Sequence, residues 1–231
     1  YPSVCVSHID INLADSANKR LISDIYKQLH TPKNGSIISF RNGLKWEQVF
    51  NKVKIDNYLG GKCFKEEGVY LITGGLGDLG FNISIHLLKT FKAKVIILGR
   101  TRLLPAEERR QLPDQTNQEI EVKIKRLRML KEAGKVAYFN CDLTSAKNLK
   151  SAVKISEKMF GGIDGVIHAA GIVRGNSING ICELKREDFE KQFESKVKGL
   201  QVLKKVMGNK PLDFCFLISS LSAVLGGVGF G

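Results

Sequence analysis

From residue 69 onward, short apolar runs alternate with longer segments in which apolar residues recur every three or four positions. The runs Val69–Thr73, Lys94–Gly99, Lys135–Leu143, Ile163–His168 and Asp213–Ser219 read as strands of the kind buried on both faces. Between them lie four helical patterns. The first passes through Phe81, Ile85, Leu87, Leu88 and Phe91, and the second through Val122, Ile124, Leu127 and Leu130, stopping at Gly134. The third runs from Thr144 to about Phe160 and the fourth from about Lys185 to Met207. Pro105 and Pro113 mark an irregular stretch ahead of the second helix, whose many charges read as a solvated outer face. Strand and helix in strict alternation predict an α/β fold, a doubly wound parallel (Rossmann) sheet.

The first third has another rhythm. A short strand near Ile9 to Leu13 precedes a helix from Ala17 to Leu29, and Arg41-Asn42-Gly43 separates two strand-like runs as the turn of a hairpin. This predicts part of a smaller α/β structural subdomain over residues 1–57. Residues 58–65, with Gly60-Gly61, read as a linker, and residues 66–231 as the larger Rossmann subdomain.

Chemistry concentrates where the first large strand ends, at Thr73-Gly74-Gly75-Leu76-Gly77-Asp78-Leu79-Gly80. A glycine-rich turn between strand and helix suits a dinucleotide: Gly75 for the tight turn, Gly77 for approach to a pyrophosphate, Gly80 for close helix packing. An ordinary glycine-rich β-turn has the same spacing, and it is the flanking strand, helix and second strand that favour the nucleotide. Arg100-Thr101-Arg102 follow that second strand, where an acidic residue would suit an unphosphorylated ribose and a basic one a 2′-phosphate. NADPH is therefore the expected cofactor.

In a parallel sheet, ligands bind beyond the carboxyl ends of the strands. Arg100, Asp142, His168-Ala169-Ala170-Gly171 and Ser219-Ser220 all fall there.

Composition narrows the picture further. The 231 residues carry 36 Lys and Arg against 23 Asp and Glu, a net charge of +13. The lysines are spread out and aromatics are few, which argues against nucleic acid; an anionic cofactor with an acidic protein partner, or plain lysine bias, both fit. With no 18-residue apolar run and no signal pattern, the chain is expected to be soluble and cytoplasmic, without membrane contact. Five cysteines, odd in number and scattered, suggest neither disulfides nor zinc, and most are expected to be small core residues. No metal site is expected.

Together Thr73–Gly80, Leu98-Gly99-Arg100-Thr101, Cys141-Asp142-Leu143-Thr144, His168–Gly171 and the run Ile218–Gly231 resemble the short-chain dehydrogenase/reductase family. The closer likeness is to ketoreductase domains of modular polyketide synthases, and Ser39–Trp46 resembles the end of the structural subdomain that precedes their catalytic half. The resemblance implies NADPH-dependent reduction of a β-ketoacyl thioester carried by an acyl carrier protein on phosphopantetheine, among neighbouring synthase domains. It assigns Ser220 to the substrate ketone and Lys196 to the catalytic lysine, also beside the cofactor. Thr73, Gly75, Leu76, Gly77, Leu79 and Gly80 would form the pyrophosphate turn. Arg100 and Thr101 would meet the 2′-phosphate, Asp142 and Leu143 the adenine, and Ala169, Ala170 and Gly171 the adjoining ribose. Asp78 departs from a position often held by glycine, and sits close to the expected pyrophosphate. A tyrosine that donates the proton and an asparagine are expected beyond Gly231, so the polypeptide is expected to continue. Gly175 stands where one stereochemical class carries aspartate. A free-standing reductase of small ketones and a redox-inactive structural domain are the competing readings.

Overall fold

The computed structural model describes residues 5–12, 14, 18–31, 33–52, 63–171, 183 and 185–225. The chain divides into two compact units, Tyr1–Gly60 and Gly61–Gly231.

In the first unit β1 (His8–Ile11), β2 (Ile37–Arg41) and β3 (Leu44–Glu47) form a sheet in that order, with α1 (Lys19–His30) crossing between β1 and β2. β1 pairs parallel to β2, and β2 pairs antiparallel to β3. The hairpin turns on Asn42 and Gly43, at φ 53° and 74°, the paired left-handed residues that match the twist of two-residue hairpins. Leu21, Ile38 and Phe40 make its small core. Asn18, whose side chain accepts from the Arg20 and Leu21 amides, caps α1 at its start.

The second unit runs β4 (Val69–Thr73), α2 (Asp78–Phe91), β5 (Lys94–Gly99), α3 (Ala106–Arg109), α4 (Asp114–Ala133), β6 (Val136–Asn140), α5 (Ala146–Phe160), β7 (Gly165–His168), α6 (Arg186–Phe193), α7 (Gly199–Met207), β8 (Phe214–Leu217) and α8 (Ser222–Leu225). The five strands lie in the order β6-β5-β4-β7-β8, all parallel. The chain leaves β4 toward β5 on one side and later returns to β7 on the other, so the order reverses at the carboxyl end of β4. That crevice is where the glycine-rich turn sits.

Alternate residues of each strand feed opposite faces. Leu71, Ile96, Leu98 and Val166 pack with Leu149, Val153, Leu203 and Met207 from α5 and α7. Tyr70, Ile72, Val95, Ile97 and Ile167 pack with Leu87, Leu88 and Leu130 from α2 and α4. Each fully buried aliphatic side chain contributes about 1.5–3 kcal/mol, enough for these two faces to hold the sheet flat against its helices.

Four expectations change. The long helix from Lys185 to Met207 is two helices joined by a π-helical turn, Glu194–Lys198. The third strand stops at Asn140, because Asp142 turns the chain by accepting from both Thr144 N–H and Thr144 Oγ1 at 2.9 Å. Ser145, not Thr144, caps α5, its side chain accepting from Asn148 N–H. Of the four cysteines described, only Cys141 is buried; Cys5, Cys63 and Cys215 are exposed, so most are not core residues.

Candidate active site

The site is a strip along the carboxyl edge of the sheet. In the register of the ladder, Thr73 stands beside Leu98 on one side and His168 on the other, and His168 stands beside Leu217. The residues following β4, β5, β7 and β8 therefore emerge along one line.

At the centre the Thr73 hydroxyl lies 2.8 Å from His168 Nδ1, both residues being buried, and its oxygen accepts from Ala170 N–H at 3.3 Å. One side chain thus fixes both the start of the glycine turn and the loop after β7. Burial pushes the His168 imidazole below its ordinary pKa of 6.5, opposed by the backbone of Ser195. His168 Nε2 and Ser195 Oγ are buried without a hydrogen-bond partner among the described residues.

One of the glycine roles read off the spacing moves. Gly74, not Gly75, makes the tight turn: its φ is +70°, and a Cβ there would sit 2.9 Å from Ala169 O. Gly75 is instead sealed by β5, since a Cβ would meet Ile97 Cγ1 at 2.9 Å. Gly80 lets α2 press on the turn, where a Cβ would lie 2.5 Å from Gly74 O and 2.7 Å from Gly75 Cα. Gly77 is exposed at the N-cap of α2 and no side chain caps the helix. This bare, positively polarised cradle fits a pyrophosphate. Leu76 is buried in the core, so only its backbone faces the cradle, whereas Leu79 is exposed.

Beyond β5, Arg100 is exposed and its carbonyl accepts from Asn140 Nδ2 at 2.8 Å. Thr101 is held twice: its carbonyl accepts from Tyr138 OH at 2.5 Å, and its hydroxyl accepts from Lys123 Nζ at 2.7 Å. Burial raises the Tyr138 phenol to about 12, so it remains a donor at neutral pH. Leu143 is buried in the core and can offer a ligand only its backbone, while Asp142 is exposed.

Lys196 lies on the π-helical turn, exposed, and its stem covers the loop after β7: a Cβ at Gly171 would be 3.1 Å from Lys196 Cε. Its neighbour Ser195 points inward. Ser220 follows β8, exposed, its oxygen accepting from Ser222 N–H at 3.2 Å and from Ser222 Oγ at 2.7 Å. Gly175, with the rest of the loop from Ile172, and the run from Gly226 to Gly231 lie outside the described residues.

Sequence reasoning missed Arg126. This α4 residue donates from Nη1 to Leu76 O at 2.8 Å and from Nη2 to Asp78 Oδ1 at 2.5 Å. It and Lys123 belong to a stretch read as solvated, yet both turn toward the site. Among the described residues no three or more His, Cys, Asp or Glu side chains gather as a metal group, and no helix is long and apolar enough to cross a membrane.

A reversing parallel sheet with a Thr-Gly-Gly turn, a His-Ala-Ala-Gly loop and a serine past the fifth strand defines an oxidoreductase of the short-chain dehydrogenase/reductase fold. Within that class the chain belongs to the KR domain family, whose model matches residues 68–231. It is 37% identical over 165 residues to polyketide synthase PksM of Bacillus subtilis (strain 168), a match spanning 71% of this chain and 3% of that protein. It is 27% identical over 167 residues to 6-methylsalicylic acid synthase of Penicillium patulum, over 71% of this chain and 9% of that protein. Its fold is similar to a ketoreductase domain from the bacillaene assembly line, with a TM-score of 0.70 and 22% identity over 96% of this chain and 48% of that one. The chain thus spans a small fraction of the length of the synthases it matches.

Proposed function

We propose that the domain reduces a β-ketoacyl thioester, presented on the phosphopantetheine arm of an acyl carrier protein, to the β-hydroxyacyl thioester with NADPH. The observation that carries this reading is the convergence of the uncapped glycine cradle, the Lys196 stem against Gly171 and the Ser220 hydroxyl on one sheet edge. When bound, the nicotinamide supplies hydride to the keto carbon.

The chain's own groups do the rest. Gly77 and the first turn of α2 hold the pyrophosphate. Arg100 faces the 2′-phosphate, with Thr101 fixed by Tyr138 and Lys123 so that the loop keeps its shape. Ala169, Ala170 and Gly171 line the ribose. Ser220 donates a hydrogen bond to the oxygen on which negative charge develops. Lys196 places a positive charge beside the loop after β7, where it would lower the pKa of a phenol that donates the proton. The basic surface, at +13 overall, suits an acidic carrier and neighbouring synthase domains, in a cytoplasmic setting.

The test is NADPH consumption with a simple β-ketoacyl thioester mimic, for the native protein and Ser220→Ala. Turnover lost in the variant supports the assignment. Equal turnover by both removes Ser220 from it, and NADPH binding without any turnover favours a redox-inactive structural domain.

A further inference from the structure

The glycine turn carries a contradiction: its own residue Asp78 puts a carboxylate at the mouth of a cradle shaped for a pyrophosphate. At the first residue of α2 an acid suits the helix dipole, but it repels a second anion over the same amides.

The structure holds the remedy on another helix. Arg126 lies 48 residues away in sequence, on α4, which packs along α2 through Leu127, Leu130 and Leu88. Its side chain is one-quarter exposed while that of Asp78 is 62% exposed, so the ion pair is anchored on the arginine side. The guanidinium is spent on three tasks at once. One nitrogen pairs with the Asp78 carboxylate, another fixes the Leu76 carbonyl in the middle of the turn, and Cζ sits over the Phe81 ring on α2, 5.5 Å from its centroid. A planar fork holds carbonyl and carboxylate at a fixed angle and spacing, which the freely rotating donors of an ammonium group do not impose.

We propose that Arg126 is a positioning residue of the cofactor site, cancelling the Asp78 charge and locking the Leu76 peptide so that the cradle accepts a dinucleotide pyrophosphate. This rests on the reading of the glycine turn as a nicotinamide dinucleotide site. It predicts that the penalty for losing Arg126 is delivered by Asp78, which a purely structural brace would not produce.

The experiment measures NADPH affinity of the intact protein by the change in nicotinamide fluorescence, with thermal unfolding followed alongside. Arg126→Met should weaken binding about fivefold, the scale of one charge about 4 Å from another in water-like surroundings. Adding Asp78→Asn to it should recover most of that loss, since the repulsion is removed while the Leu76 peptide stays unheld. Arg126→Lys should fall between, keeping the charge without the fork. Should Arg126→Met fail to fold, Arg126→Lys with and without Asp78→Asn makes the same comparison. Native-like affinity in Arg126→Met, or a defect that Asp78→Asn leaves untouched, overturns the inference alone. Failure of the native protein to bind NADPH or NADH removes the cofactor reading and the inference together.

Discussion

The two ends of the large sheet are built from the same five strands and finished in opposite ways. At the amino end, Asp164 Oδ2 accepts from Val69 N–H at 2.8 Å, and Lys65 Nζ bridges Asp164 at 3.1 Å and Asp213 at 2.7 Å. Tyr70 OH accepts from Lys65 N–H at 2.6 Å, and the Tyr70 ring packs among Phe64 and Phe214. At the carboxyl end stand glycines, an exposed serine and lysine, and two buried polar atoms without hydrogen-bond partners among the described residues. One end has its hydrogen bonds closed and its aromatic rings in contact; the other keeps groups in reserve. Stability and chemistry are thus divided along the strand axis, a separation a parallel sheet makes possible because all its strands end on one side.

The sharpest way to break that contrast is Lys196→Met, which on the proposed role should cut turnover about 100-fold, the lower end of what assisted proton transfer contributes, while the unfolding temperature stays within a degree or so. Comparable losses of turnover and stability would erase the distinction. Next comes Gly80→Ala, whose Cβ would run into Gly74 O and Gly75 Cα: overpacking against backbone costs roughly 1–3 kcal/mol, and denaturant unfolding with NADPH titration should show both stability and affinity falling. At the opposite end, Asp164→Ala leaves the Val69 amide unpaired. Stability should drop by about 1–3 kcal/mol, with NADPH affinity unchanged in the same titration.

A smaller effect is expected from Tyr138→Phe. Losing the bond to Thr101 O should cost about 1 kcal/mol and, if the loop after β5 holds a 2′-phosphate as proposed, weaken NADPH more than NADH. The smallest concerns pH. His168 has a depressed pKa when folded and takes up a proton more readily when unfolded, so stability is level above 6.5 and declines as the pH falls below it. His168→Gln should flatten that decline in urea melts taken between neutral pH and the acid limb.

How much of this was legible beforehand depends on the range of the interaction. The five strands and most helices could be read because their signals are local, a run of β-branched residues or a 3.6-residue period. The Asn42-Gly43 hairpin was legible for the same reason. What escaped was set by contacts remote in sequence. Gly74 takes the left-handed turn because the Ala169–Ala170 backbone closes on it, leaving Gly75 to make room for Ile97, and spacing within the motif cannot rank two adjacent glycines by neighbours that arrive from other strands. Lys123 and Arg126 look solvated in a helix dense with charge, and only the packing of α4 beside α2 turns them toward the loops. Cys63 and Cys215 are exposed although cysteine usually packs inside: Cys215 falls on the edge strand β8, and Cys63 lies on the irregular segment ahead of β4.

The π-helical turn between α6 and α7 works as a phase shifter. One extra residue in a helix advances everything after it by about 100° about the axis. In this register Ser195 faces inward, Lys196 reaches Gly171, and Gly199 meets Leu143, where a Cβ would lie 3.1 Å from Leu143 Cβ. Shortening the segment by a single residue would restore an ordinary helix and swing Lys196 off the loop after β7, or else turn Leu203 and Met207 out of the core. Length is therefore constrained more tightly than composition over Glu194–Lys198: point substitutions there can be graded, whereas a one-residue deletion forces a choice between the lysine and the fold.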